Sequence, residues 1–228
     1  MSDNFKGFAA RLGELRQRAV SPQRAEMRRL ADAMRLVIDR LVASRAPADQ
    51  LERAAATLED VASSLEGFPR GHTFEGFAES ANSGDPHAFF DHSPMIGLAN
   101  PLAPPLKLTV EEGRVVGTVR FGAAYEGPPG CVHGGFIAAA FDEVLGMAQS
   151  MGGRPGMTGT LTVRYRRPTP LHAELRFDAG LDRMEGRKNF TSGRLLHGDE
   201  VTAEAEAIFV TVDFAKIAEL YARSEGNP

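Results

Sequence analysis

Cysteine is nearly absent: Cys131 stands alone in 228 residues. A disulfide framework within the chain is therefore excluded, and no set of cysteines exists to hold zinc. Basic charge is not in excess either. Lys and Arg number 26 against 30 Asp and Glu, a net charge of -4. Nothing in that balance draws nucleic acid or an anionic membrane, although a small local anion site is compatible with it. No apolar run approaches the length of a membrane span. The start, MSDNFKGFAARLGELRQ, lacks the apolar centre of a secretory signal, so the expectation is a cytoplasmic protein. Repeats and low-complexity tracts are missing as well. What remains is ordinary globular composition, 43% hydrophobic and 25% charged, with enough apolar material for a sizeable core.

Residues 1–66 are short of β-branched runs and rich in Ala, Arg, Leu and Glu. Met27, Leu30, Met34, Val37 and Leu41 recur at helical spacing, after Ser21-Pro22, a good helix start. Leu51, Ala54, Leu58, Val61 and Leu65 repeat the pattern beyond a break at Pro47. Phe5, Phe8, Leu12 and Leu15 suggest a shorter helix before both. These stripes cannot bury themselves singly; they need the rest of the protein, each other or a partner. The expectation is a helical N-terminal extension. Residues 67–105 follow as a connecting segment rich in Gly, Pro and Phe, ordered rather than a bare linker because it spends so many aromatics.

From residue 106 the texture turns to strands, in a domain over 106–228. LKLTVEEGRVVGTVRF reads as a hairpin turning at Glu112-Gly113. Phe136 to Met151 reads as a helix buried on most sides. Four strands follow, within MTGTLTVRYRRP, AELRFDAGLDRMEG, RKNFTSGRLLHGDE and VTAEAEAIFVTV. The last alternates cleanly, with Val201, Ala203, Ala205, Ala207 and Phe209 on one face. A short helix is expected in the tail, DFAKIAELYARS. One long apolar helix against a largely antiparallel sheet is α+β architecture.

The chemistry concentrates in PGCVHGGFIAAAFDEVLG, residues 129–146. Gly134 and Gly135 stand at the start of the long helix, where free N–H groups and the helix dipole gather. Such an end can polarise a carbonyl, or the glycines can simply permit a tight turn. Asp142 and Glu143 sit inside the helix, an expensive place for unpaired carboxylates. His133 to Asp142 is nine residues, on the order of 13 Å along the axis. The helix start and the acid therefore meet only if a second subunit supplies one of them. Cys131 has no oriented partner that would make it a nucleophile.

GPPGCVHGGFIAAAFDEVLGMA, followed by MTGTLTVRYRRPTPL and DRMEGRKNF, resembles the hotdog-fold thioesterases, in the PaaI-like acyl-CoA thioesterase branch. The likeness covers roughly residues 90–213. It implies a hotdog fold, a long central helix wrapped by a curved antiparallel sheet, with the N-terminal helices as an addition to the minimal domain. It implies an acyl-CoA thioesterase that works as a homodimer or homotetramer. The Gly135 N–H would donate to the thioester carbonyl. Asp142 from the partner subunit would be general base or nucleophile. Thr158, with Thr160 as the second choice, would help place the water or the carboxylate. His133 and Gly134 would complete the catalytic set, His133 shaping the turn and contacting the substrate region, with a structural histidine as the alternative; Glu143 would have no such role. No metal and no cofactor is implied, since coenzyme A is part of the substrate. Its phosphates make Gly186, Arg187 and Lys188 the candidate contacts, with a solvated basic turn as the alternative. Arg164, Arg166 and Arg167 are either ion-pair partners or an outer wall of the nucleotide site. Phe136, Phe141 and the Phe-rich segment either line an acyl pocket or pack the core. Two other functions fit the same fold: an acyl-CoA-binding or regulatory module without catalysis, and a dehydratase or hydratase.

Overall fold

The computed structural model describes residues 21–68, 91, 93–154 and 156–211. The short helix expected within the first 20 residues, most of the Phe-rich segment and the tail helix lie outside the described residues. Two helices come first, α1 (Pro22–Val42) and α2 (Ala48–Ser64). Ser21 caps α1, its side chain accepting from the Arg24 N–H at 3.3 Å, with Pro22 in the first turn.

The hairpin strands are β1 (Lys107–Glu111) and β2 (Arg114–Val119). Glu112 and Gly113 both take positive φ, 48° and 84°, the geometry of a two-residue hairpin turn. The long helix is α3 (Gly134–Ser150). Then come β3 (Gly156–Tyr165), β4 (Leu175–Glu185), β5 (Lys188–His197) and β6 (Glu200–Thr211). The six strands form one sheet in the order β1-β2-β4-β5-β6-β3, and every pairing is antiparallel. Helix α3 lies against β2 through β6. This is the hotdog layout.

The core forms where α3 meets the sheet. Ile137, Ala140, Phe141, Val144, Leu145 and Ala148 are buried along one face of the helix. Phe141 meets Phe177 of β4 edge to face, ring centres 5.0 Å apart. On β6, Ala203, Ala205, Ala207 and Phe209 are buried, as its alternation predicts. The opposite face of α3 differs from expectation. Ala138, Ala139, Asp142, Glu143, Gly146 and Met147 are only partly buried, because the chain's own sheet covers one side of the helix.

Helix α1 is attached in an unusual way. It turns Arg24, Arg28, Ala31, Arg35, Ile38 and Asp39 toward the domain. The Arg28 guanidinium grips the buried Asp91 carboxylate at 2.9–3.2 Å, and Arg24 approaches it at 3.5 Å. Arg35 donates to the carbonyls of Leu98 and Asn100 at 2.9 and 2.7 Å. Asp39 accepts from the Ala123 N–H at 2.7 Å.

Candidate active site

The start of α3 is held by backbone bonds from two sides. The His133 N–H donates to the Tyr125 carbonyl at 2.9 Å, and the Val132 N–H to the Thr169 carbonyl at 2.8 Å. His133 is the N-cap, and its Nδ1 accepts from the Gly135 N–H at 3.0 Å. Tyr165, at the end of β3, donates its hydroxyl to the Gly134 carbonyl at 2.7 Å. The peptide joining Gly134 to Gly135 is thus gripped at both ends, its C=O by Tyr165 and its N–H by His133.

This geometry bears on the expected oxyanion contact. The Gly135 N–H is already engaged by the cap, so a ligand carbonyl would have to displace the imidazole to reach it. Among the described residues, no acceptor stands against the Gly134 N–H. That group is open at the positive end of α3. The lack of a side chain matters here: a Cβ on Gly134 would stand 3.1 Å from the Tyr165 hydroxyl. A cleft of about 630 Å³ opens at this point, bordered by His133, Gly134, Gly135, Tyr165, Arg166 and Arg167. Phe136 stands 36% exposed, its ring edge to face with Tyr125 at 4.9 Å, whereas Phe141 is fully buried core.

The acid sits two turns along the helix. Thr158 donates its hydroxyl to Asp142 Oδ1 at 2.7 Å, so of the two threonines Thr158 is the one that meets the carboxylate. Among the described residues this one donor orients the carboxylate and leaves the second oxygen available. The β3–β6 register shifts between Thr158 and Thr160, a bulge at Gly159 that re-aims the strand at this point. The buried Gln149 fixes the approach of β3 to α3. Its Oε1 accepts from the Gly156 N–H at 3.1 Å and from Asn189 at 2.8 Å, and its Nε2 donates to the Gly156 carbonyl at 3.3 Å.

Glu143 follows Asp142 but faces elsewhere. Burial pushes its carboxyl up to about 7; the Ser93 hydroxyl, 3.4 Å away, pulls it down, and the Asp142 charge adds a smaller upward push.

Within one chain the two halves do not meet. Thr158 and Tyr165 lie about 20 Å apart along β3. Gly134 and Asp142 are about 12 Å apart along α3. The basic turn belongs to the acid's half: Asn189 of β5 and Thr158 of β3 both pair with Phe209 of β6. Gly186 takes φ 58° in a two-residue turn between Glu185 and Lys188. Arg187 donates to the Thr211 carbonyl at 3.1 and 3.3 Å. The strand arginines are ion-paired: Arg164 with Glu206 at 2.7 Å, Arg166 with Glu204 at 2.7 Å and Arg167 with Glu200 at 2.5 Å. Arg166 and Arg167 also border the cleft. Sequence reasoning missed Tyr165 and Ser93. A tyrosine at a strand end and a serine before a proline carry no signal of their long-range partners.

A solved thioesterase superfamily protein is 38% identical and superposes with a TM-score of 0.71, over 81% of this chain and 94% of that one. The chain belongs to the thioesterase superfamily. A family model described as thioesterase superfamily matches residues 129–204, which contain the start of α3, Asp142 and Thr158. This superfamily member is also similar to acyl-coenzyme A thioesterase THEM4 of Xenopus laevis, 38% identical over 101 residues, 43% of this chain and 46% of that one. To THEM4 of Bos taurus it is 36% identical over 105 residues, 45% of this chain and 43% of that one. The match spans less than half the length of these curated relatives. Among the described residues, no helix is long and apolar enough to cross a membrane.

Proposed function

We propose that this thioesterase superfamily chain hydrolyses acyl-coenzyme A thioesters to a free acid and coenzyme A, at a site shared by two copies. The observation that carries the reading is the Asp142–Thr158 hydrogen bond on the helix whose own start lines the cleft. The thioester carbonyl lies at the start of α3, where the Gly134 N–H and the helix dipole stabilise the developing oxyanion. Asp142 of the second copy either activates a water or attacks the carbonyl carbon itself. In the first route water adds, Asp142 takes its proton, and the tetrahedral adduct expels the thiolate, which is then protonated. In the second, the Asp142 carboxylate displaces the coenzyme A thiolate, which is then protonated, and water cleaves the resulting acyl-aspartyl anhydride to the free acid and Asp142. Thr158 keeps the carboxylate aimed in both. Single turnover in ¹⁸O-water separates the routes: heavy oxygen in Asp142 marks the anhydride.

His133 and Tyr165 hold the peptide after the donor, so the donor's direction is set before substrate arrives. Arg187 and Lys188 are assigned to the coenzyme A phosphates, supported by their place at the acid's end of the sheet. Replacing both with Ala raises KM more than it lowers kcat.

The direct test is thiol release from short, long and aromatic acyl-coenzyme A substrates. Asp142→Asn lowers kcat by about 10²–10⁴-fold if the acid does this work, while Glu143→Gln keeps most of it. The second reading, a binding module without turnover, draws on the occupied Gly135 N–H. Binding without release of thiol by the wild type would favour it.

A further inference from the structure

The N-terminal arm, α1 and α2, is attached to the sheet domain through α1, and one place of attachment lies beside the cleft. Ala123–Tyr125 is a single 3₁₀ turn, with the Tyr125 N–H donating to the Gly122 carbonyl at 3.1 Å and the Glu126 N–H to the Ala123 carbonyl at 3.2 Å. The first amide of such a turn has no acceptor within it. A Ser, Thr, Asp or Asn at the cap position would supply one, but the cap here is Gly122. Asp39 of α1 supplies it instead, its Oδ1 accepting from the Ala123 N–H at 2.7 Å. The fit needs the glycine, since a Cβ on Gly122 would collide with the Asp39 carboxylate.

The far end of Tyr125 is held from α1 too. Its hydroxyl donates to the Leu102 carbonyl at 3.0 Å. Arg35, one turn before Asp39 on the same face of α1, donates to the carbonyls of Leu98 and Asn100 in the same loop at 2.9 and 2.7 Å. Tyr125 then reaches the start of α3 in two ways. Its carbonyl accepts from the His133 N–H at 2.9 Å, and its ring meets Phe136 edge to face at 4.9 Å. His133 in turn caps α3 and binds the Gly135 N–H. Two hydrogen bonds and one short turn therefore join an acid of the arm to the residue before the open Gly134 amide.

We propose that Asp39, assisted by Arg35, is a positioning residue for the reaction: through Tyr125 it fixes where the start of α3, and with it the Gly134 N–H, points. Helix α1 is then a working part of the site and not an appendage. The effect on rate rests on the hydrolytic reading; the mechanical link does not. The donor matters most as the oxyanion develops, so a misaimed helix start lowers kcat and leaves KM nearly as it was.

The test compares Asp39→Ala with Asp39→Asn in the full chain. The alanine leaves the Ala123 N–H without its acceptor, whereas the asparagine keeps a side-chain oxygen there. In Asp39→Ala kcat falls about tenfold with KM changed by less than about twofold, and Asp39→Asn restores most of the loss. Amide exchange followed by NMR reads the same link without turnover. The His133 amide exchanges about fivefold faster in Asp39→Ala, while amides of β4 and β5 keep their rates. If the wild type releases no thiol, the hydrolytic reading fails and exchange alone decides. Unchanged exchange at His133 overturns the proposal. Faster exchange spread evenly over β4 and β5 does so too, because Asp39 would then be a general stabiliser. In an active enzyme, an unchanged kcat in Asp39→Ala also overturns it, since the start of α3 would keep its aim without α1.

Discussion

The sheet domain and the helical arm are written in the same apolar periodicity, and the chain treats them oppositely. On α3 the stripe of Ile137, Phe141, Val144, Leu145 and Ala148 is 0–2% exposed. On α1 the stripe from Met27 to Leu41 stays open, and arginines hold the helix in place. Periodicity identifies a face that wants cover; it does not say who supplies the cover. In the sheet domain the cover comes from β2 to β6 of the same chain. For the arm the described residues offer none, and the buried Asp91 substitutes for a hydrophobic attachment. The open face of α3, carrying Asp142, shares this property.

The contrast is sharpest in stability. Phe141→Ala empties a fully buried site against Phe177 and costs about 3–5 kcal/mol in urea denaturation. Leu58→Ala on α2, measured at high dilution, changes stability by less than about 0.5 kcal/mol. Comparable values would abolish the distinction between the two regions. Next comes the clamp. Asp91→Ala leaves Arg24 and Arg28 facing an empty buried position and costs about 3 kcal/mol. Amide exchange then speeds up along α1 and not along β4 or β5. Uniform speeding would mean that α1 is part of the core.

Glu143 distinguishes the two faces of α3 through pH. The folded chain keeps its proton up to about 7, whereas an ordinary glutamate releases it near 4.5. The folded state therefore binds the extra proton between those values, and stability falls as pH rises through them, by about 3 kcal/mol. Glu143→Gln flattens that slope and is more stable than wild type at pH 8. The smallest effect is expected from Thr158→Ala, about a tenfold loss of turnover, one charge-assisted hydrogen bond, with no change in melting.

Much of the sheet domain was legible in advance, for identifiable reasons. The alternation of β6, the Glu112-Gly113 turn and the glycines before α3 are local signals. The pairing of Asp142 with Thr158 was legible only through resemblance, since sixteen residues separate them and no pattern links a helix acid to a strand hydroxyl. One feature of the helix start had no signal in the sequence: His133 binds the Gly135 N–H, while the Gly134 amide, one peptide earlier, is open. Nothing in His-Gly-Gly distinguishes the two amides, because the choice depends on a side-chain rotation. The burial of α3 was overstated, because composition cannot tell cover by the same chain from cover by a second one. Ser93, Tyr165 and Asp91 act over 31 to 63 residues and left no trace in local sequence.

The most direct measurement mixes two disabled subunits. Asp142→Asn removes the acid, and Gly134→Val blocks the open end of α3 against Tyr165. Each is inactive alone. If the site takes its helix start from one copy and its acid from the other, co-refolding them restores up to about a quarter of the wild-type thiol release, through mixed pairs that hold one intact site. If the mixture stays as inactive as its parents while mixed pairs demonstrably form, the acid and the helix start work within one chain, and the shared site is wrong.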